Sequence, residues 1–382
     1  MTAVPGRRLV GRAAGDLDVR RRTLLPALAL AVVWLIGVAA ALLWSHTRGV
    51  TAARLALSLT VVLAGGIVAV VVAGPLTRAV AVRRSRRSGI HLGGQACLAA
   101  AAHLDTLILD GVGSLVDGKS VSSVDPVDPE HLRNLRWFAG ALEHHSDHPL
   151  GVAVARLAPR GNVTTVEHHP GRGISGSVDR HPVRVGSAEW LGSPTPEAPA
   201  PAVDRLSVEV DGRVIGTIDV VDQVRDDAAG ALDALSSLKI TPILAAEGAC
   251  ERARTVANRV GVERVEGIPA TELATTLLDQ KRRFGVLARP DVVFDASLVL
   301  TASPAAQDSP TIGLAEGGVG LATEGITRAR RLYAAMRSNR MLTGAYAGTA
   351  GLAAAAGILS PVSAAAVAAV GLAVAAGLAL RP

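Results

Sequence analysis

The chain has 382 residues, 49% hydrophobic and only 2% aromatic, with Lys+Arg 39 against Asp+Glu 33 for a formal charge of +6. Its mean hydropathy of +0.36 is high for a soluble enzyme, and its two cysteines, Cys97 and Cys250, stand far apart with no CxxC spacing, which excludes a disulfide framework and a cysteine zinc site. The basic residues crowd the ends of apolar stretches instead of one soluble face, and no aromatic platform exists for stacking bases, so nucleic acid is excluded as a partner.

Residues 1–22 form a basic N-terminal segment. Thr23 to Trp44 and Leu55 to Thr77 are uncharged runs of 22 and 23 residues, and a rise of about 1.5 Å per residue carries each across a hydrocarbon core of about 30 Å. Residues 23–77 therefore read as a transmembrane hairpin turning on Ser45 to Gly49. Met341 to Leu380 is uncharged for 40 residues, broken by the turn composition Gly357-Ile358-Leu359-Ser360-Pro361, so 341–380 reads as a second hairpin. Arginine clusters at 7–22, 78–87 and 328–340 face only Arg48 and Arg54 in the first loop, which puts both termini and the middle segment in the cytoplasm. A cleaved signal peptide competes for the first span, but its apolar run is long for an h-region and a second span follows at once. The expectation is a multi-pass protein of the inner or plasma membrane, with the lipid bilayer as its first partner.

The middle segment alternates strand and helix. Leu107-Ile108-Leu109 reads as a buried strand ending at Asp110, with Ile243-Leu244, Val286-Leu287 and Leu298-Val299-Leu300 as further strands. Helices are expected over Ala228 to Leu238, Cys250 to Val260 and Ala270 to Lys281. That alternation implies a parallel doubly wound sheet. Residues 120–215 differ in texture: one amphipathic helix over His131 to Leu157, then short strands including Val183-Arg184-Val185 and a hairpin at Val208 to Ile218 turning on Asp211-Gly212. The expected division is an α/β domain over 78–119 and 216–335 with an α+β domain inserted over 120–215.

In such a sheet ligands collect at the carboxyl ends of the strands. Asp110 stands there, although an aspartate after an apolar strand also suits a turn or a cap. The run Leu109-Asp110-Gly-Val-Gly-Ser-Leu-Val-Asp-Gly-Lys119 resembles the P-type ATPase phosphorylation motif FDKTGTLTxGK. Glu143-His-His-Ser-Asp-His148-Pro149 is similar to the ExxSEHP motif of the heavy-metal-transporting branch, and Gly171-Arg-Gly173 to its GxG loop. Asp222 and Arg225 match a DxxRP hinge with Asp226 in the proline's place. Arg87 to Gly94 resembles RRGILFKGG, and Gly357 to Pro361 the turn between the last two spans. The resemblance covers nearly the whole chain. It implies four spans, a haloacid-dehalogenase-like (HAD-like) cytoplasmic domain phosphorylated at Asp110, and an inserted nucleotide-binding domain. Glu143, His148, Gly171 and Gly173 would meet ATP, and Asp291 and Asp295 would meet Mg2+.

The departures are as informative as the matches. The lysine expected after the aspartate is Gly111 and the threonine beyond it is Val112. The TGDN loop falls on Ala246-Glu247-Gly248-Ala249, and a conserved-type lysine falls on Glu272, which repels an incoming phosphate. GDGVND falls on Pro290-Asp291-Val-Val-Phe-Asp295. Losing one electrostatic donor costs about a hundred- to a thousandfold in rate, so several lost together leave little phosphoryl transfer. Asp110, Asp291 and Asp295 remain as magnesium candidates, or as inherited, solvated carboxylates. The metal-binding Cys-Pro-Cys position falls on Gly66-Ile67-Val68, the Tyr-Asn pair on Tyr346-Ala347, and a serine pair on Gly371-Leu372, leaving no thiolate for a soft metal. By the resemblance, the chain is expected to begin just before the spans that lead into the catalytic domain, without the earlier spans and the actuator domain. For the nucleotide residues a bland alternative stays open: His144, His145 and His148 as a solvated helix end, Gly171 and Gly173 as a hairpin turn. His144 and His148 chelating a metal lacks a third ligand. The expected function is a degenerate, truncated cation-transporting ATPase that keeps nucleotide binding. The alternatives are a non-catalytic regulator or partner of a membrane transporter, and a HAD-like phosphatase, which normally needs an acid where Val112 stands.

Overall fold

The computed structural model describes residues 52–193, 200, 202–248, 250–302 and 310–379; the basic segment and the first expected span lie outside the described residues. In chain order the elements are α1 (Ala52–Arg87), β1 (Ile90–Leu92), α2 (Gln95–Ala102), β2 (Thr106–Asp110), β3 (Val116–Pro126), α3 (Leu132–Glu143), α4 (Pro149–Ala155), β4 (Val163–His169), β5 (Gly173–Val178), β6 (His181–Gly186), β7 (Val203–Val210), β8 (Arg213–Val224), α5 (Ala228–Ser237), β9 (Thr241–Ala245), α6 (Cys250–Val260), β10 (Arg264–Glu266), α7 (Ala270–Asp279), β11 (Phe284–Ala288), β12 (Leu298–Thr301), β13 (Thr311–Leu314), α8 (Val319–Ala355) and α9 (Pro361–Ala379). They fall into two compact units, Ser88–Ala329 and Met1–Arg87 with Arg330–Pro382.

The unit Ser88–Ala329 contains two sheets. The first has the order β1-β13-β12-β11-β2-β9-β10, parallel except where β1 meets β13. Every residue of β2 and β11 is buried, as expected for central parallel strands covered on both faces. Phe284, Val286 and Ile108 pack on the apolar stripe Ala270, Leu273, Ala274 and Leu277 of α7. The chain leaves β2, returns on one side as β9 and later on the other side as β11. The sheet's topological switch point therefore lies beside the end of β2, where a ligand crevice opens.

The second sheet is antiparallel, in the order β3-β8-β7-β6-β5-β4. Its inner face, including Ile174, Val185, Val208 and Ile218, buries Leu135, Ala139 and Leu142 of α3 and Val154 of α4. The hairpin expected at Asp211-Gly212 forms between β7 and β8, both turn residues with positive φ, which a type I′ turn requires. The single helix expected over His131 to Leu157 is instead two. Pro149 fits the first position of a new helix, and the residue before a proline avoids helical ψ. His148 accordingly adopts ψ 138 and caps α4. The break also separates His144 from His148, so they share no helix face, and His144 Nε2 lies 2.8 Å from the Ala158 carbonyl oxygen.

Strands β3 and β8 carry the chain between the sheets. A four-charge cluster joins them to the first sheet's helices: Lys119 donates to Asp204 (2.7 Å) and Asp222 (3.1 Å), and Arg252 on α6 donates to both oxygens of Asp222 (2.6 and 2.7 Å) and to Asp204 (3.2 Å). Burial pulls the Lys119 ammonium pKa down, but the bonds from Asp204 and Asp222 outweigh it and hold it above its ordinary value.

In the other unit, α1 covers the second expected span and α8 and α9 the last two, with a break at residues 356–360 where the turn is expected. Leu59, Val62 and Leu63 pack with Ala350, Ala354 and Ala364. Among the described residues no helix is long and apolar enough to cross a membrane, so the four spans stand as a proposal.

Arg252→Ala leaves the buried Asp222 with one cation, and breaking such a pair is expected to cost about 2 kcal/mol. Thermal unfolding followed by Trp137 and Trp190 fluorescence should fall by about 4–8 °C. Arg254→Ala, which removes an exposed pair with Glu251, should change it little.

Candidate functional site

Asp110 ends β2 with its side chain buried. The next residue, Gly111, turns the chain away with φ 76, and its N–H donates to the Ala245 carbonyl at the end of β9 (2.9 Å). On the other side of the switch point, Arg289 follows β11 directly. Its Nε donates to Asp110 Oδ2 (3.0 Å), and its backbone N–H approaches the same oxygen at 3.4 Å. The hydrogen bond to Asp110 and the charge behind it raise the guanidinium pKa above its ordinary value, and the Asp291 charge adds to the effect. Arg289 lay unnoticed in the sequence; its only signal is a cation standing immediately after a buried strand.

The other positions expected to face a phosphate bring no such group. Ala246 is buried and carries no hydroxyl, and Glu272 lies exposed in the first turn of α7. Asp291 and Asp295 are both exposed. Among the described residues no three His, Cys, Asp or Glu side chains converge as a metal-binding group.

The residues expected to meet nucleotide are tied together more closely than sequence spacing reveals. Glu143 closes α3 with 5% of its surface exposed. Burial pushes its carboxyl up to about 7, and a hydrogen bond from Ser146 offsets part of that rise. The Ser146 hydroxyl in turn accepts from the His148 N–H (3.3 Å), and His148 Nδ1 accepts from the Leu150 N–H (3.3 Å). Glu143, Ser146 and His148 thus form one bonded chain across the helix break, and the cap leaves His148 Nε2 as the ring's remaining polar edge. Gly151 keeps this arrangement open, because a Cβ there would stand 2.2 Å from Glu143 Oε2.

Gly171 and Gly173 lie in the turn from β4 into β5. Gly173, with φ 154, faces Gly186 across the β5–β6 pair, and a Cβ on it would stand 2.1 Å from the Val185 carbonyl oxygen. A glycine is demanded there by packing alone. Trp190 covers this glycine pair, with the His169 ring 4.8 Å and the Arg184 guanidinium 5.5 Å from its ring. Sequence reasoning missed Trp190, although a tryptophan in a chain so poor in aromatics marks a place where a flat surface is retained.

In the helical unit, the position expected for a metal-binding thiol is filled by close helix contact. A Cβ on Gly66 would stand 2.7 Å from the Ala347 Cβ, and one on Gly65 2.6 Å from the Ala368 Cβ. Gly371 lies against the Tyr346 ring, and the Tyr346 hydroxyl donates to the Val367 carbonyl.

Two outcomes follow from this geometry. A carboxyl with a pKa near 7 when folded and near 4.5 when unfolded binds more protons in the folded state between those values. Its contribution is greatest below about pH 4.5 and is lost as pH rises to about 7, by about 3 kcal/mol in all. The stability of Glu143→Gln relative to the parent should therefore climb between pH 4.5 and 7 and then level off in a pH series of unfolding midpoints. Gly66→Cys overpacks the helical unit, at a cost of about 1–3 kcal/mol, and should lower the midpoint without conferring binding of a soft metal in equilibrium dialysis.

No family model matches the chain. The chain is 33% identical over 224 residues to a copper-exporting P-type ATPase of Mycobacterium tuberculosis, covering 56% of this chain and 29% of that protein. It is 28% identical over 333 residues to a copper-transporting P-type ATPase of Rhizobium leguminosarum, covering 76% of this chain and 38% of that protein. The chain thus spans well under half the length of these curated relatives. The crystal structure of a zinc-transporting PIB-type ATPase in its E2.Pi state superposes with a TM-score of 0.66 at 18% identity, covering 92% of this chain and 62% of the other. The chain shares the fold of that structure, and its sequence is similar to heavy-metal P-type ATPases over part of their length.

Proposed function

We propose that this chain is a membrane-bound relative of heavy-metal transport ATPases that binds nucleotide but neither takes up the γ-phosphate efficiently nor holds a transition metal. In this reading residues 23–77 and 341–380 are two transmembrane hairpins in the cell membrane, with residues 1–22 and both termini in the cytoplasm. Residues 78–119 and 216–335 form the phosphorylation-like domain and 120–215 the nucleotide-binding domain. ATP is the ligand, held through Glu143, His148, Gly171 and Gly173.

The observation that carries the reading is the environment of Asp110. Phosphoryl transfer depends on cations and donors placed around the transferring group. Among the described residues Asp110 is paired with one cation, Arg289, bonded to its own carboxylate, while Gly111, Val112 and Ala246 bring neither charge nor hydroxyl and Glu272 brings a negative charge. The nucleotide motif, by contrast, keeps its hydrogen bonds intact from Glu143 to Leu150. A protein with a binding half and a disabled transfer half suits a regulator or partner subunit of a membrane transporter, and the filled helix contact at Gly66 favours that role over a pump.

The test incubates the purified full chain with γ-labelled ATP, magnesium and a panel of transition metals, then quenches in acid. Label should not exceed that of Asp110→Asn, while ATP should still change Trp190 fluorescence, with affinity about tenfold weaker in His148→Ala, about 1.4 kcal/mol. Acid-stable label on Asp110 would overturn the reading, and so would a complete lack of nucleotide binding.

A further inference from the structure

The family's phosphorylation chemistry implies a magnesium ion between the strand-end aspartate and the carboxylates of the later segment, and the residues around Asp110 do not fit one. Magnesium demands about six oxygen ligands near 2.1 Å, usually one or two carboxylates together with waters and phosphate. Asp110 Oδ2 already receives two N–H groups of Arg289, one from the guanidinium and one from the backbone. Asp291 contributes its charge to the same guanidinium. Asp110, Asp291 and Asp295 form no metal-binding group among the described residues.

The geometry points to Arg289 as a built-in replacement for the divalent cation, its guanidinium bonded to the Asp110 carboxylate that would otherwise be offered to a metal ion. The placement is stiff. Ala288 is paired with Thr301 of β12, and Pro290 restricts the conformation of the residue before it, so the Arg289 backbone is held at the switch point from both sides. A guanidinium is charged at every physiological pH and only donates hydrogen bonds. It can neutralise a carboxylate, but it offers no open coordination position to a phosphate oxygen. The crevice is thereby held together with one positive charge instead of two and without taking up metal. Nothing in this inference depends on whether nucleotide binds.

Thermal unfolding of the purified full chain in magnesium chloride, against sodium chloride at matched ionic strength, tests it. The parent chain should show the same midpoint in both salts. Arg289→Ala should melt lower in sodium chloride and recover by about 5 °C in saturating magnesium chloride, because the freed Asp110 carboxylate can then take a hydrated magnesium ion as a single carboxylate ligand. Arg289→Gln, which keeps much of the side chain's volume, should behave in the same way and serves if the alanine variant fails to fold. Adding Asp110→Asn to either variant should abolish the recovery. Magnesium stabilising the parent chain as much as the variants would overturn the inference. So would variants blind to magnesium, or a recovery that survives Asp110→Asn. Acid-stable phosphorylation bears on the proposed function and leaves these midpoints untouched, so the two can fail separately.

Discussion

The antiparallel pairing of β3 with β8 is the constraint on which the two-sheet unit depends. These strands, β3 at the edge of the second sheet and β8 beside it, are also the chain's path out of and back into the first, so whatever fixes their register fixes the second sheet against the end of β2 at Asp110. Lys119 and Asp222 are direct cross-strand partners, and the bond between them is reinforced from outside the sheet by Arg252. Two cations and two carboxylates leave the cluster neutral, which lets it be partly buried without an unpaired charge. Arginine suits this place better than lysine, because its planar fork grips both oxygens of Asp222 and still reaches Asp204.

The two ends of this unit have fared differently. Around the helix break the side chains support one another: Glu143 is held by Ser146, Ser146 holds the His148 backbone, and His148 caps the helix that Pro149 begins. At the phosphate end the backbone scaffold persists, with Asp110 still closing a fully buried strand beside β9 and β11, but the side chains that would face a phosphate are small, apolar or acidic. A backbone arrangement of this kind survives because the hydrophobic core demands it, whether or not chemistry occurs at its edge. The cation that the described residues place there, Arg289, is directed at the aspartate itself.

Much of the first sheet was legible in the sequence because its strands are short, wholly apolar and end in a polar residue: Leu107 to Leu109, Ile243-Leu244, Val286-Leu287 and Leu298 to Leu300 all lie in strands. The Asp211-Gly212 turn was legible for its backbone chemistry. The break at His144 to His148 was not, because the apolar period continues from Leu142 into Leu150 and Val154 and masks the proline signal at Pro149. The strands Ile90–Leu92 and Thr311–Leu314 were too short to show a period. Among the site residues, motif spacing located Asp110, Glu143 and His148, but the partner of Asp110 lies 179 residues away, and no local pattern reveals that two strand ends meet. Trp190 was hidden likewise, since its significance comes from the two glycines beneath it on separate strands.

The close contacts in the helical unit couple its helices to one another. Gly66 meets Ala347, Gly65 meets Ala368, and Gly371 meets the Tyr346 ring, so three helices interlock through positions where even a methyl group is too large. A larger side chain at position 66 would require Ala347 to give way, and one at position 65 would require the same of Ala368. Packing of this sort couples residues on separate helices, so a change in side-chain size at one glycine is accommodated only by a matching change on the helix opposite.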